Sequence, residues 1–220
     1  IAINKEYIEI QKYAFRKYKI KTVENKHTHL VPEELEQLER LSLTDKHMKL
    51  QKSLDAFLFC CYAGMRYSDF TNLSKKNIVD INQETWLIYK SVKTGTEVRL
   101  PLYLLFAGKG IVILNKYRNN LEDFFRLRDN SNINKDLIII AKLAGLSKKI
   151  SFHTARHTNA TLLIYNGVNI TTVQKLLGHK SVKTTQVYTN IMDMTIVHDL
   201  EKIKQAALGI KKKTDNSFNK

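Results

Sequence analysis

The chain has 220 residues, 43% of them hydrophobic, enough apolar material for one globular domain with a sizeable core and a short appendage. Its formal net charge is +15, from 36 lysines and arginines against 21 acidic residues, and its isoelectric point is near 9.7. No apolar run is long enough to suggest a membrane span, so the excess charge points to nucleic acid rather than a bilayer, with solubility alone as the bland alternative.

The first stretch, residues 1–27, is dense in basic residues and soon loses its apolar rhythm, so it reads as the end of an upstream element running into a basic linker. The chain opens at Ile1 without a signal-peptide pattern, and we expect it to be a piece of something longer. The main body starts near "THLVPEELEQLERL", where Pro32 suits a first helical turn and Glu33, Glu34 and Glu36 favour its positive end. Further helices are expected to stop at glycines: "LQKSLDAFLFCCYAG" at Gly64, "NINKDLIIIAKLAG" at Gly145, "FHTARHTNATLLIYNG" at Gly167 and "ITTVQKLLG" at Gly178.

One stretch departs from that pattern. In "TWLIYKSVKTGTEVRLPL", β-branched and aromatic residues flank a Lys-Thr-Gly turn, which predicts a hairpin with Lys93 at or beside its tip and Trp86 in the core. A last helix is expected over "NIMDMTIVHDLEKIKQAALG", and residues 211–220 are too polar to fold. The fold class is therefore mainly α with a small antiparallel β-sheet (α+β), the folded domain running over residues 28–210. The two cysteines, Cys60 and Cys61, are adjacent within an apolar run, where a disulfide between them would be strained; they read as reduced core residues of a cytoplasmic protein.

The segment "SFHTARHTNATLL" raises the question of a metal, because His153 and His157 are four residues apart on one helical face. A zinc protease would place glutamate directly after the first histidine, where this chain has Thr154, and Arg156 between the histidines would repel a cation while suiting a phosphate. With Ser151 as cap, His153 and Arg156 fall in the first two turns, near the positive end of the helix dipole. Alone, that pattern is also what a solvated helix face looks like. His157 reads as a hydrogen-bonding core residue rather than a ligand.

Two more stretches belong with it. "LLGHKSVKTTQVYTNI" puts His179 after a glycine-terminated helix and Tyr188 nine residues later, with a short helical segment between them that Ser181 can cap. "CYAGMRYSDFTNLS" puts Arg66 just after another such terminus, at the start of a new helix. Taken together and in order, these segments resemble the catalytic domain of the tyrosine recombinases, the site-specific DNA integrases and resolvases, from about Thr28 to about Ala207. The basic wording "FRKYKIK" is also similar to integrases of Bacteroides-type mobile elements.

The resemblance implies six site residues. Arg66 and Arg156 would clamp the scissile phosphate, and His153 and His179 would donate to its oxygens, His153 being also a candidate acceptor for the tyrosine proton. Lys93 would protonate the departing 5′ oxygen, and Tyr188 would be the nucleophile, forming a 3′-phosphotyrosyl link that stores the energy of the broken bond without metal, cofactor or ATP. Where the family commonly has glutamate and leucine, this chain has Asp69 and Phe70. An aspartate can orient neighbours at shorter reach.

The partners so implied are a double-stranded DNA recombination site, a homotetramer linked through the C-terminal helix and, in some systems, accessory DNA-bending proteins. Family members carry an upstream helical DNA-clamping domain, and residues 1–27 would be a remnant of the connection to it. Two other readings keep the same residues: a type IB topoisomerase that relaxes one duplex, and a catalytically silent DNA-binding relative. Individually, Tyr188 is one of ten tyrosines and Lys93 one lysine among many.

Overall fold

The computed structural model describes residues 28–188; the basic segment 1–27, the helix expected beyond Tyr188 and the polar end at 211–220 lie outside them. Those residues are mainly helical, with one three-stranded antiparallel sheet. None of their helices is long and apolar enough to cross a membrane.

Two helices form the centre. Each residue of helix α2 (Gln51–Ala63) from Ser53 to Ala63 is buried, and from Ala56 onward it is apolar on every side, as expected of a helix enclosed by others. It packs most extensively on α7 (Phe152–Tyr165), whose polar residues Arg156, His157, Thr158 and Asn159 are buried together with Phe152, Ala155 and Ala160. Around the pair stand α1 (Pro32–Glu39), α3 (Tyr67–Thr71), α4 (Lys109–Lys116), α5 (Leu121–Phe125) and α6 (Asn130–Leu143). Edge-to-face contacts of Phe70 with Phe59, Phe124 and Phe125 lock α3 and α5 onto α2.

The glycine signals hold. Gly64 ends α2 with φ +66°, and Gly178 ends α8 (Ile170–Leu177) with φ +64°. Gly145 and Gly167 likewise take positive φ just past α6 and α7. A Cβ on Gly64 would lie 2.6 Å from the Asn159 amide oxygen, and one on Gly178 would lie 2.6 Å from Val98 Cγ2. Glycine is therefore required twice over at both positions, by conformation and by space.

In the sheet, β1 (Ile78–Ile81), β2 (Glu84–Lys90) and β3 (Glu97–Pro101) pair in that order. The expected hairpin is β2–β3, but the sequence reading missed β1, whose turn into β2 is Asn82-Gln83 with φ of 53° and 66° and no glycine. Leu87, Tyr89, Val98 and Leu100 cover the inner face. Trp86 lies on the other face by strand alternation, half-buried against Tyr103, so its expected place in the core is corrected. The register Lys90↔Glu97 leaves Ser91–Thr96 as the tip, with Lys93 exposed in it.

Candidate active site

Three structural ends meet at one place: the C-terminus of α2, the C-terminus of α8 and the tip of the β2–β3 hairpin. Arg156 joins the first two. Its guanidinium is 1% exposed and donates to the carbonyls of Gly64 and Leu177, each at 2.7 Å, so both helices end on a cation, where their dipoles favour one. Burial, then the nearby charge of Arg66, lowers its pKa to about 10, which leaves it protonated at neutral pH. One turn on, the Asn159 amide donates to the Cys61 and Tyr62 carbonyls, completing the cap of α2. The open reading of Arg156 as a residue of a solvated face is thus overturned.

Arg66 stands at the N-cap of α3, three positions before Asp69. Asp69 is buried, and one carboxylate oxygen accepts from the Val92 amide at 2.8 Å, while the Ser91 hydroxyl donates to it at 3.3 Å. Arg66 in turn reaches Asp69 at 3.5 Å and Ser91 at 3.3 Å. The shorter carboxylate therefore orients an arginine and the root of the lysine-bearing tip together. Phe70, the other departure, fills the aromatic cluster.

His179 follows the α8 cap and is buried, its Nδ1 2.9 Å from the Thr185 hydroxyl of α9 (Lys183–Gln186). Burial holds its pKa down to about 3, and the charges of Arg156, Arg66, His153 and Lys93 push the same way. Charges from three separate parts of the chain, at Arg66, at Lys93 and on α7, thus act on one imidazole. Ser181 accepts from the Lys183 amide at 3.3 Å, near its expected capping role, although Val182 is the N-cap itself.

Tyr188 is 4% exposed and its amide donates to the Thr185 carbonyl at 3.1 Å. Its hydroxyl lies 3.1 Å from His157 Nδ1. Burial raises the phenol pKa, while Arg156 and Arg66 pull it back down. His153 is exposed one turn earlier, with its ring edge-on to His157 at 4.4 Å. All six expected residues thus stand in one neighbourhood, Lys93 exposed in the hairpin tip and near enough for its charge to act on His179.

Sequence reasoning missed the supporting residues Ser91, Thr94, Asn159 and Thr185. Each works through a hydrogen bond across distant parts of the chain or to a neighbouring turn, and only the small polar residues inside buried helices and turns hinted at them.

The model of the phage integrase family matches residues 28–194. The chain belongs to that family. Among integrase-family relatives, a tyrosine recombinase of Pseudothermotoga lettingae is 30% identical over 181 residues, 80% of this chain and 60% of that protein. Tyrosine recombinase XerD of Bifidobacterium longum is 50% identical over 171 residues, covering 70% and 54%. The fold is shared with a lambda integrase tetramer bound to a Holliday junction, at a TM-score of 0.65 and 19% identity, over 85% of this chain and 54% of that one. The chain thus spans little more than half the length of these relatives.

Proposed function

We propose that this chain is the catalytic part of a tyrosine-type site-specific DNA recombinase, which cuts and rejoins duplex DNA through a 3′-phosphotyrosyl link on Tyr188. The observation that carries this reading is the convergence of Arg66, Arg156, His179 and Tyr188, from three separate parts of the chain, at the foot of the Lys93 hairpin. A phosphodiester under attack gathers negative charge on its non-bridging oxygens, and two arginines and two histidines can offset it without a metal. Lys93, exposed at the tip, would give the 5′ oxygen its proton. The tyrosyl ester keeps the bond energy, so no nucleotide is spent.

The family's tyrosine recombinases and the tetrameric, junction-bound lambda integrase support a DNA duplex as substrate and a homotetramer as the working form. We also infer a mobile-element integrase of the Bacteroides type, from the basic wording of residues 15–21, and DNA-bending accessory proteins as further partners. Residues 1–27 would be a basic linker from an upstream clamp domain.

Sequences attacked by the protein can be recovered by covalent capture from a pool of nicked, randomised duplexes. Two copies of a captured sequence placed on a supercoiled plasmid then test the reading. Deleted or inverted plasmids are expected. Relaxation alone, with no exchange between the copies, would instead establish topoisomerase-like action.

A further inference from the structure

The nitrogen that meets the candidate nucleophile is not the one the resemblance implied. His157 Nδ1 is 3.1 Å from the Tyr188 hydroxyl, with the two rings 5.4 Å apart and inclined at 53°. Both side chains are buried, His157 at 6% exposure and Tyr188 at 4%, so the contact is shielded from water. His153 is exposed on the outer turn of α7, where it can face a phosphate, and its ring lies against His157 edge-on. The backbone on both sides is fixed: α7 is pinned through Arg156 and Asn159 to the end of α2, and the Tyr188 amide is held by Thr185.

We propose that His157, rather than His153, receives the proton of the Tyr188 hydroxyl during DNA cleavage, and that it seats this hydroxyl beside Arg156 before DNA arrives. The inference rests on the recombinase reading above. It requires the imidazole tautomer with its proton on Nε2, which leaves the Nδ1 lone pair as acceptor. As the tyrosine oxygen bonds to phosphorus, its O–H bond breaks and the proton passes to Nδ1. The electrons of the breaking P–O5′ bond leave with the 5′ oxygen, which takes a proton from Lys93. Resealing runs both transfers backwards, so neither residue is consumed. Burial raises the phenol pKa, and a buried phenol that must ionise needs an acceptor already in contact. His153 is left to do what an exposed imidazole can do, which is to donate to the phosphate.

The test measures single-turnover adduct formation on a captured nicked duplex by the parent chain, His157→Asn and His157→Ala, with DNA affinity and thermal melting followed in parallel. Asparagine offers an amide oxygen near the place of Nδ1 but takes no proton. Adduct formation is therefore expected to slow by about 10²-fold or more with DNA affinity unchanged. The alanine variant leaves an imidazole-sized cavity, and added imidazole is expected to restore its adduct in proportion to concentration. Should that variant unfold, the asparagine result decides alone. Parental rates in His157→Asn, or no imidazole response in a folded, DNA-binding His157→Ala, would overturn the proposal while leaving the recombinase reading intact. Failure of the parent to capture any duplex covalently from the randomised pool would remove both.

Discussion

The Thr94 hydroxyl donates to the Gly178 carbonyl at 3.1 Å, tying the hairpin tip to the residue before His179. Lys93 is adjacent to this latch, so its position relative to His179 depends on it. Thr94→Val keeps the side-chain shape and removes the donor. A hydrogen bond of about 1 kcal/mol corresponds to about a fivefold loss of adduct-formation rate, with DNA affinity retained. Rapid-quench cleavage of a captured duplex measures it.

Gly64→Ala places a methyl 2.6 Å from the Asn159 amide oxygen and 2.8 Å from Leu177 Cδ2, at φ +66°. The strain and overpacking together are expected to cost about 2–4 kcal/mol, read as a lower urea midpoint at unchanged slope. The same change displaces the Gly64 carbonyl from Arg156. Activity should therefore fall even where the protein remains folded.

Asp69 serves two neighbours, and two substitutions separate them. Asp69→Asn retains an oxygen for the Val92 amide but removes the charge facing Arg66; Asp69→Ala removes both. The alanine variant is expected to lose about 1–3 kcal/mol and the asparagine variant less, by denaturant unfolding. Faster exchange of the Val92 amide proton in Asp69→Ala alone would locate the loss at the hairpin root.

His179 gives a pH signature. Its folded pKa is held down to about 3, against 6.5 for an unperturbed imidazole. Between those values the unfolded chain binds the proton and the folded one does not, so stability rises with pH. The contribution is complete above about pH 6.5 and is lost progressively as pH falls towards 3. In His179→Asn this part of the acid limb should flatten, as urea unfolding at a series of pH values will show.

How much of this was legible in the sequence follows from the range of the interactions. Helix ends at Gly64 and Gly178 were readable because a left-handed cap is a local requirement. The β2–β3 hairpin was readable from its β-branched flanks and its turn. Strand β1 was not, because four residues followed by Asn82-Gln83 carry no glycine signal. Trp86 is not a core residue, because strand alternation turns it to the outer face, against Tyr103. The site residues came from their order along the chain, but their partners did not. Arg156 is held by carbonyls 92 and 21 residues away, and His157 meets Tyr188 across 31 residues, distances that no periodicity encodes.

The most direct measurement is denaturing electrophoresis of the parent and Tyr188→Phe after incubation with a captured nicked duplex in EDTA. A covalent protein–DNA band from the parent, absent from the phenylalanine variant, is the expected result. A band of equal strength from Tyr188→Phe, or none from a parent that binds the duplex, would contradict a phosphotyrosyl mechanism at Tyr188.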